Sequence, residues 1–140
     1  MDDYFYYTKV IENKDFELYY RRKEGSDKEE LVIDCNKEAE GKAYFSLFHF
    51  KISHDHKQVA YTVDFEGKEH YYLRIKEIET NQIRDLSFLG PMLSVEWDHS
   101  GKVIFYTVPD RLGFFFFIFL FYIFLFFLKN FFFKNKNNIF

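Results

Sequence analysis

The chain has a single cysteine, Cys35, in 140 residues, so it cannot close an internal disulfide. That suits a reducing compartment. No secretory leader is expected either: Met1 is followed by Asp2, Asp3 and tyrosines rather than by a positive start and a short apolar run. A cytoplasmic origin is the expectation. Basic excess is missing too. The net charge is −3, and Lys129, Lys134 and Lys136 fall in the last stretch, so the rest is more acidic still. A nucleic-acid footprint requires clustered Lys and Arg. Here they alternate with Glu and Asp, as on a solvated face, and no nucleic-acid partner is expected. No G-x-S-x-G elbow, P-loop or dinucleotide fingerprint occurs. Before Gly113 no stretch carries the 3.6-residue periodicity of an amphipathic helix.

What the chain does have is aromatic residues, 24% of the total, and a sharp change of composition at Gly113. From Phe114 to Phe140 it uses only Phe, Leu, Ile, Tyr, Lys and Asn. Those residues can all be written in codons of A and T alone. No folding requirement imposes that restriction, whereas translated T-rich non-coding DNA obeys it. Leu112-Gly113-Phe114 also fits reading through a splice donor, because a glycine codon can hold the opening GT. Two segments follow: residues 1–112, which carry the structural information, and residues 113–140, an apolar tail. The tail has a second reading. Phe114 to Leu128 is uninterrupted and apolar, with Lys129 behind it. A spanning helix wants about 20 such residues, and the positive flank would lie in the cytoplasm. The codon restriction favours read-through over a selected anchor, so a membrane is a partner only if the tail is genuine; the chain would then be a small membrane-anchored β-domain with a binding role.

Residues 1–112 read as short strands. Tyr4–Val10 and Phe16–Arg22 are aromatic and β-branched, with Asn13-Lys14-Asp15 as the turn between them. Glu30–Cys35 is a third run. In Tyr44–Ser53, Phe48, Phe50 and Ile52 are expected to face one way, His49 and Lys51 the other. Gln58–Phe65 leads through Glu66-Gly67-Lys68 into Tyr71–Ile78, where Tyr71, Leu73 and Ile75 alternate with Tyr72, Arg74 and Lys76. Glu79-Thr80-Asn81 is another turn, and Leu93–Trp97 and Lys102–Val108 close the series. Many short strands at this spacing indicate an all-β sandwich, barrel or propeller.

A repeat chooses among these. Ile52-Ser53-His54-Asp55-His56-Lys57-Gln58-Val59-Ala60-Tyr61-Thr62-Val63 aligns with Trp97-Asp98-His99-Ser100-Gly101-Lys102-Val103-Ile104-Phe105-Tyr106-Thr107-Val108. The His, Lys and Tyr-Thr-Val positions coincide. The period, about 45 residues, is that of a four-stranded propeller blade. A weaker echo sets Tyr7-Thr8 and Leu18-Tyr19-Tyr20-Arg21 beside Tyr61-Thr62 and Tyr71-Tyr72-Leu73-Arg74. The expected fold is therefore all-β: a partial propeller of about two and a half antiparallel blades, with a C-terminal apolar segment open to a helical conformation. Such an array leaves a bare blade face and a free edge, which predicts marginal stability.

In order along the chain, Asp2-Asp3-Tyr4-Phe5-Tyr6-Tyr7-Thr8, Tyr20-Arg21-Arg22-Lys23 and Glu40-Gly41-Lys42-Ala43-Tyr44-Phe45-Ser46-Leu47 resemble one known family. So do Val59-Ala60-Tyr61-Thr62-Val63-Asp64, Tyr72-Leu73-Arg74-Ile75-Lys76-Glu77-Ile78-Glu79-Thr80 and Val108-Pro109-Asp110-Arg111-Leu112. Together they resemble the N-terminal β-propeller of the prolyl oligopeptidase family of serine peptidases, in its oligopeptidase B branch. His54 departs from a usual Pro, and His56 from a common Gly. The resemblance implies a two-domain enzyme in which the propeller caps an α/β-hydrolase domain carrying Ser, Asp and His. The cap would admit short peptides, cut after basic residues. It also implies a segment before the propeller, which is not expected among these residues.

Candidate chemistry within the chain is sparse. Ser26, beside Gly25, and Ser100, beside Gly101, read as turn residues. No catalytic residue is assigned, since the triad would lie in the hydrolase domain. His54 and His56 form a His-x-His that a metal could use if His49, His70 or His99 supplied further ligands. An interstrand turn is the favoured reading, and no metal or cofactor is expected. Cys35 ends an apolar run, as a packed or a reactive thiol. Asp27, Glu29, Glu30, Glu38 and Glu40 could attract basic peptides or form a solvated surface.

Overall fold

The computed structural model describes residues 3–91, 94–109 and 115–121. Among these described residues ten strands form three antiparallel sheets: β1 (Tyr4–Lys9), β2 (Leu18–Lys23) and β3 (Glu29–Asp34); β4 (Ser46–Ile52), β5 (Gln58–Asp64), β6 (Tyr71–Glu77) and β7 (Ile83–Gly90); β8 (Ser94–Trp97), β9 (Val103–Pro109) and β10 (Phe115–Phe121). Within each sheet, strands adjacent in sequence are adjacent in space. All eight expected runs are strands.

The sheets stack through their faces, with the second in the middle. Because side chains alternate along a strand, β5 serves two seams. Val59, Tyr61 and Val63 join Val32, Ile33, Cys35 and Phe45 in one core cluster, with Tyr6 and Tyr19 at its margin. Ala60 joins Leu73, Ile75, Val95, Trp97, Ile104 and Tyr106 in the other. The alternation expected in β6 holds: Tyr71, Leu73 and Ile75 face the third sheet, while Tyr72 faces the first. A strand buried on both faces carries a nearly continuous apolar run, and Val59-Ala60-Tyr61-Thr62-Val63 is one.

The turns follow local chemistry. Asn13 (φ 64°) and Asn81 (φ 59°) adopt the left-handed conformation that asparagine tolerates. Gly67 (φ 69°) does so in the β5–β6 hairpin, where the Asp64 carboxylate accepts N–H bonds from Glu66 (2.8 Å), Gly67 (3.0 Å) and Glu69 (2.9 Å). The repeat is a structural one. The Ser53 N–H donates to the Gln58 carbonyl and the Asp98 N–H to the Val103 carbonyl, both at 2.9 Å. His56 (φ 57°) and Gly101 (φ 67°) occupy the same left-handed position.

Four features depart from the sequence reading. A bulge between Leu47 and Phe50 resets the alternation of β4. Leu47, Phe50 and Ile52 consequently pack inward, and Phe48 points out, 59% exposed. A short helix, α1 (Cys35–Ala39), follows β3; the Asp34 carboxylate caps it by accepting from Asn36 (3.0 Å) and Lys37 (3.1 Å). Strand β7 was not expected: its residues 83–85 are exposed, so burial imposes no alternation there. Lastly, residues 115–121 are not helical but pair with β9, from Phe115 opposite Pro109 to Phe121 opposite Val103. The remainder of the apolar tail, residues 113–114 and 122–140, lies outside the described residues. No helix among the described residues is long and apolar enough to cross a membrane.

Candidate functional site

The most constructed polar chemistry lies at the two seams. At the first, Glu38 on α1 receives Arg74 from β6, with side chains 13% and 18% exposed, and the Tyr61 hydroxyl at 3.3 Å. Arg74 also reaches Asp85 (2.5 Å) and lies 5.0 Å from the centre of the Phe65 ring. Burial, reinforced by Glu38, drives the Tyr61 hydroxyl well above its ordinary pKa, so it stays a donor. Lys76 donates to the Val32 carbonyl at 2.6 Å, and burial lowers its pKa. Nearer the β4–β5 turn, Arg21 binds Glu30 (2.8 Å) and the His56 carbonyl (2.5 Å). The His56 ring stacks on Tyr6 at 5.8 Å and contacts Tyr4 at 5.2 Å, with Nδ1 3.0 Å from the Tyr6 hydroxyl.

The second seam has its own polar contacts. The Trp97 indole donates to the Lys51 carbonyl at 2.9 Å, and Lys51 pairs with Glu96 at 2.6 Å. These contacts orient one sheet on the next. They place no nucleophile beside a base, as acyl transfer requires.

The sequence candidates fall into ordinary surroundings. Ser26 accepts from the Lys28 N–H at 3.1 Å, and the Ser100 hydroxyl donates to Asp98 at 2.5 Å. That bond, with the Val103 N–H, holds Asp98 at a pKa of about 2. Cys35 is buried; burial, then Glu38 and Asp34, raise its thiol to about 12, which suppresses the reactive thiolate. Glu29 pairs with Lys9 (2.5 Å) and Tyr7 (2.6 Å), while Asp27 lies 3.8 Å from Arg22. An open cleft of about 790 Å³ between the β1–β2 turn and α1 interleaves Asp15, Asp34 and Glu40 with Lys14, Lys37 and Lys42. The acidic cluster is thus largely compensated by its own cations. His49 lies 2.9 Å from the Thr62 hydroxyl, His70 immediately precedes β6, and His56 is turned to the first sheet. Among the described residues no group of three or more His, Cys, Asp or Glu converges to hold a metal. The sequence reading missed the Arg74–Glu38 pair and the approach of His54 to His99. Only the 45-residue register of the two histidines hinted at the latter.

Antiparallel meanders stacked through buried faces are the architecture of propeller blades. The profile of the prolyl oligopeptidase N-terminal beta-propeller domain matches residues 1–112, and the chain belongs to that family of serine peptidases. Protease 2 of Moraxella lacunata is 32% identical over 118 residues, covering 77% of this chain and 17% of that protein. Oligopeptidase B from Leishmania major superposes with a TM-score of 0.69 at 28% identity, covering 79% of this chain and 16% of that one. A solved prolyl endopeptidase gives 0.70 at 17% identity over 84% of this chain and 19% of its own, a likeness of fold. The chain therefore spans about a sixth of the length of these relatives, and the matched region does not cover a catalytic domain.

Proposed function

We propose that residues 1–112 serve as part of the substrate-gating propeller of a serine oligopeptidase. The parent enzyme would be cytoplasmic and would hydrolyse short peptides, after basic residues. The propeller would sit over an α/β-hydrolase domain supplying Ser, His and Asp, and would exclude folded proteins by size. The observation that carries this reading is the uninterrupted family match over sheets whose buried faces bind one another rather than build a site. The absence of an elbow or triad in the sequence assigns no chemistry to this segment itself.

The test is hydrolysis of an Arg-containing dipeptide amide and of a folded protein with exposed Arg. The full-length parent should cut the first and spare the second, and this chain alone should cut neither. Turnover by this chain that co-purifies with it would overturn the reading. So would a parent with no preference for basic residues.

For residues 113–140 we propose read-through of non-coding sequence. The stop of the family match at residue 112 supports it, alongside the codon restriction. Mature RNA spliced at the Gly113 codon into sequence that continues the sheets would agree. A contiguous message through Phe140 would not.

A further inference from the structure

The β4–β5 and β8–β9 turns are copies of one motif and lie side by side. Residue 101 approaches the other turn closely enough that a Cβ there would sit 3.5 Å from the Ser53 Cβ and 3.8 Å from Asp55 Oδ1. His54 and His99 hold the same position in the two turns, 45 residues apart. Both are exposed, and their ring centroids are 5.1 Å apart with planes at 54°.

That separation has chemical content. A zinc ion bound to one nitrogen of an imidazole at about 2.0–2.1 Å lies about 3.2 Å from the ring centre. Two imidazoles at a tetrahedral angle on one ion therefore have centroids about 5.2 Å apart. The angle between ring planes is unconstrained, because each ring can turn about its own metal–nitrogen bond. The surrounding charge is also suitable. Asp55 directly follows His54 and Asp98 directly precedes His99, so each histidine has a carboxylate beside it in the chain. Lys57 and Lys102 follow in each turn and temper that field. The neighbouring His56 is not a competing ligand, since its ring is stacked on Tyr6 in the other seam.

We propose that His54 and His99 form a two-histidine site for a borderline divalent transition metal, bridging the second and third sheets with water completing the coordination. The ligand class follows from imidazole chemistry. This inference does not depend on the peptidase reading.

The test uses the full chain and zinc alone as probe. Calorimetry should give one zinc per chain, and the imidazole proton resonances of His54 and His99 should move together. Fixing the second imidazole in place makes its bond intramolecular, so His54→Gln or His99→Gln should each weaken zinc binding on the order of a hundredfold. Both side chains are exposed, and far-UV dichroism without zinc checks that the variants fold like the parent chain. His56→Asn should leave the affinity unchanged. Because the ligands sit on different sheets, zinc should also raise the unfolding midpoint of the parent chain but not of either Gln variant. Any of three results would overturn the proposal: no zinc binding, binding indifferent to His54 or His99, or an equal loss in His56→Asn.

Discussion

Replacing His56 with glycine tests whether the seam or the backbone governs the β4–β5 turn. The repeat partner, Gly101, suggests that His56→Gly should relieve strain, since both positions have positive φ. Relief of a left-handed side chain is worth about 1 kcal/mol, histidine being among the residues that tolerate that region. Three effects oppose it. Glycine gains freedom in the unfolded chain, at about 0.7 kcal/mol. The hydrogen bond to the Tyr6 hydroxyl, about 1 kcal/mol, is lost. The ring contacts with Tyr6 and Tyr4 contribute about another 1 kcal/mol. The net expectation is destabilisation by about 2 kcal/mol. Urea unfolding followed through the fluorescence of Trp97, the one tryptophan, reads it directly. With a urea m-value of about 2 kcal/mol per molar, the midpoint should fall by about 1 M. Gly101→Ala is the control. Its new Cβ meets nothing closer than 3.5 Å, so only the backbone opposes it. It should cost about 1 kcal/mol. A His56→Gly chain more stable than the parent would refute the reasoning, because the ring would then contribute nothing across the seam.

Arg74→Met should destabilise by about 2 kcal/mol, less than a fully buried pair, because Glu38 loses its cation but keeps the Tyr61 hydroxyl and some solvent. Glu38→Gln should cost less, since Arg74 keeps Asp85, and a double-mutant cycle in urea would show a coupling near zero if the pair is idle. Asp64 and Asp98 have folded pKa values below their unfolded ones: burial would raise Asp64, but backbone N–H bonds outweigh it, and Ser100 leads for Asp98. Their contribution is present above the unfolded pKa of about 4 and is lost as pH falls toward the folded value, about 2 for Asp98. An acid titration of urea midpoints should therefore be shallower in Asp98→Asn. The Cys35 thiol should resist iodoacetamide at pH 8 in the folded chain and react fully in urea; fast labelling of native protein would contradict its burial.

Much of this architecture was legible in the sequence because strands buried on one or two faces declare themselves. Gln58–Asp64 and Tyr71–Glu77 show it best, and the turns at Asn13, Gly67 and Asn81 carry residues suited to positive φ. Strand β7 was hidden because its first three residues face solvent. Helix α1, five residues long, is too short for any period to emerge. Phe48 was misplaced because alternation assumes an unbroken register, and one bulge inverts everything before it. At the seams, Arg74, Glu38, Arg21 and Glu30 read as solvated charge. Only tertiary packing decides which partner each one finds.

Strand β5 divides its side chains between two neighbours, so its length is more tightly constrained than its composition. A conservative exchange at Val59 or Val63 disturbs one neighbour and can be absorbed there. A single inserted residue would trade the two sets, sending every following side chain to the wrong neighbour and failing both junctions together. Lineages carrying this segment should therefore tolerate spelling changes in residues 58–64 while purging changes of frame, with insertions and deletions confined to the hairpin tips.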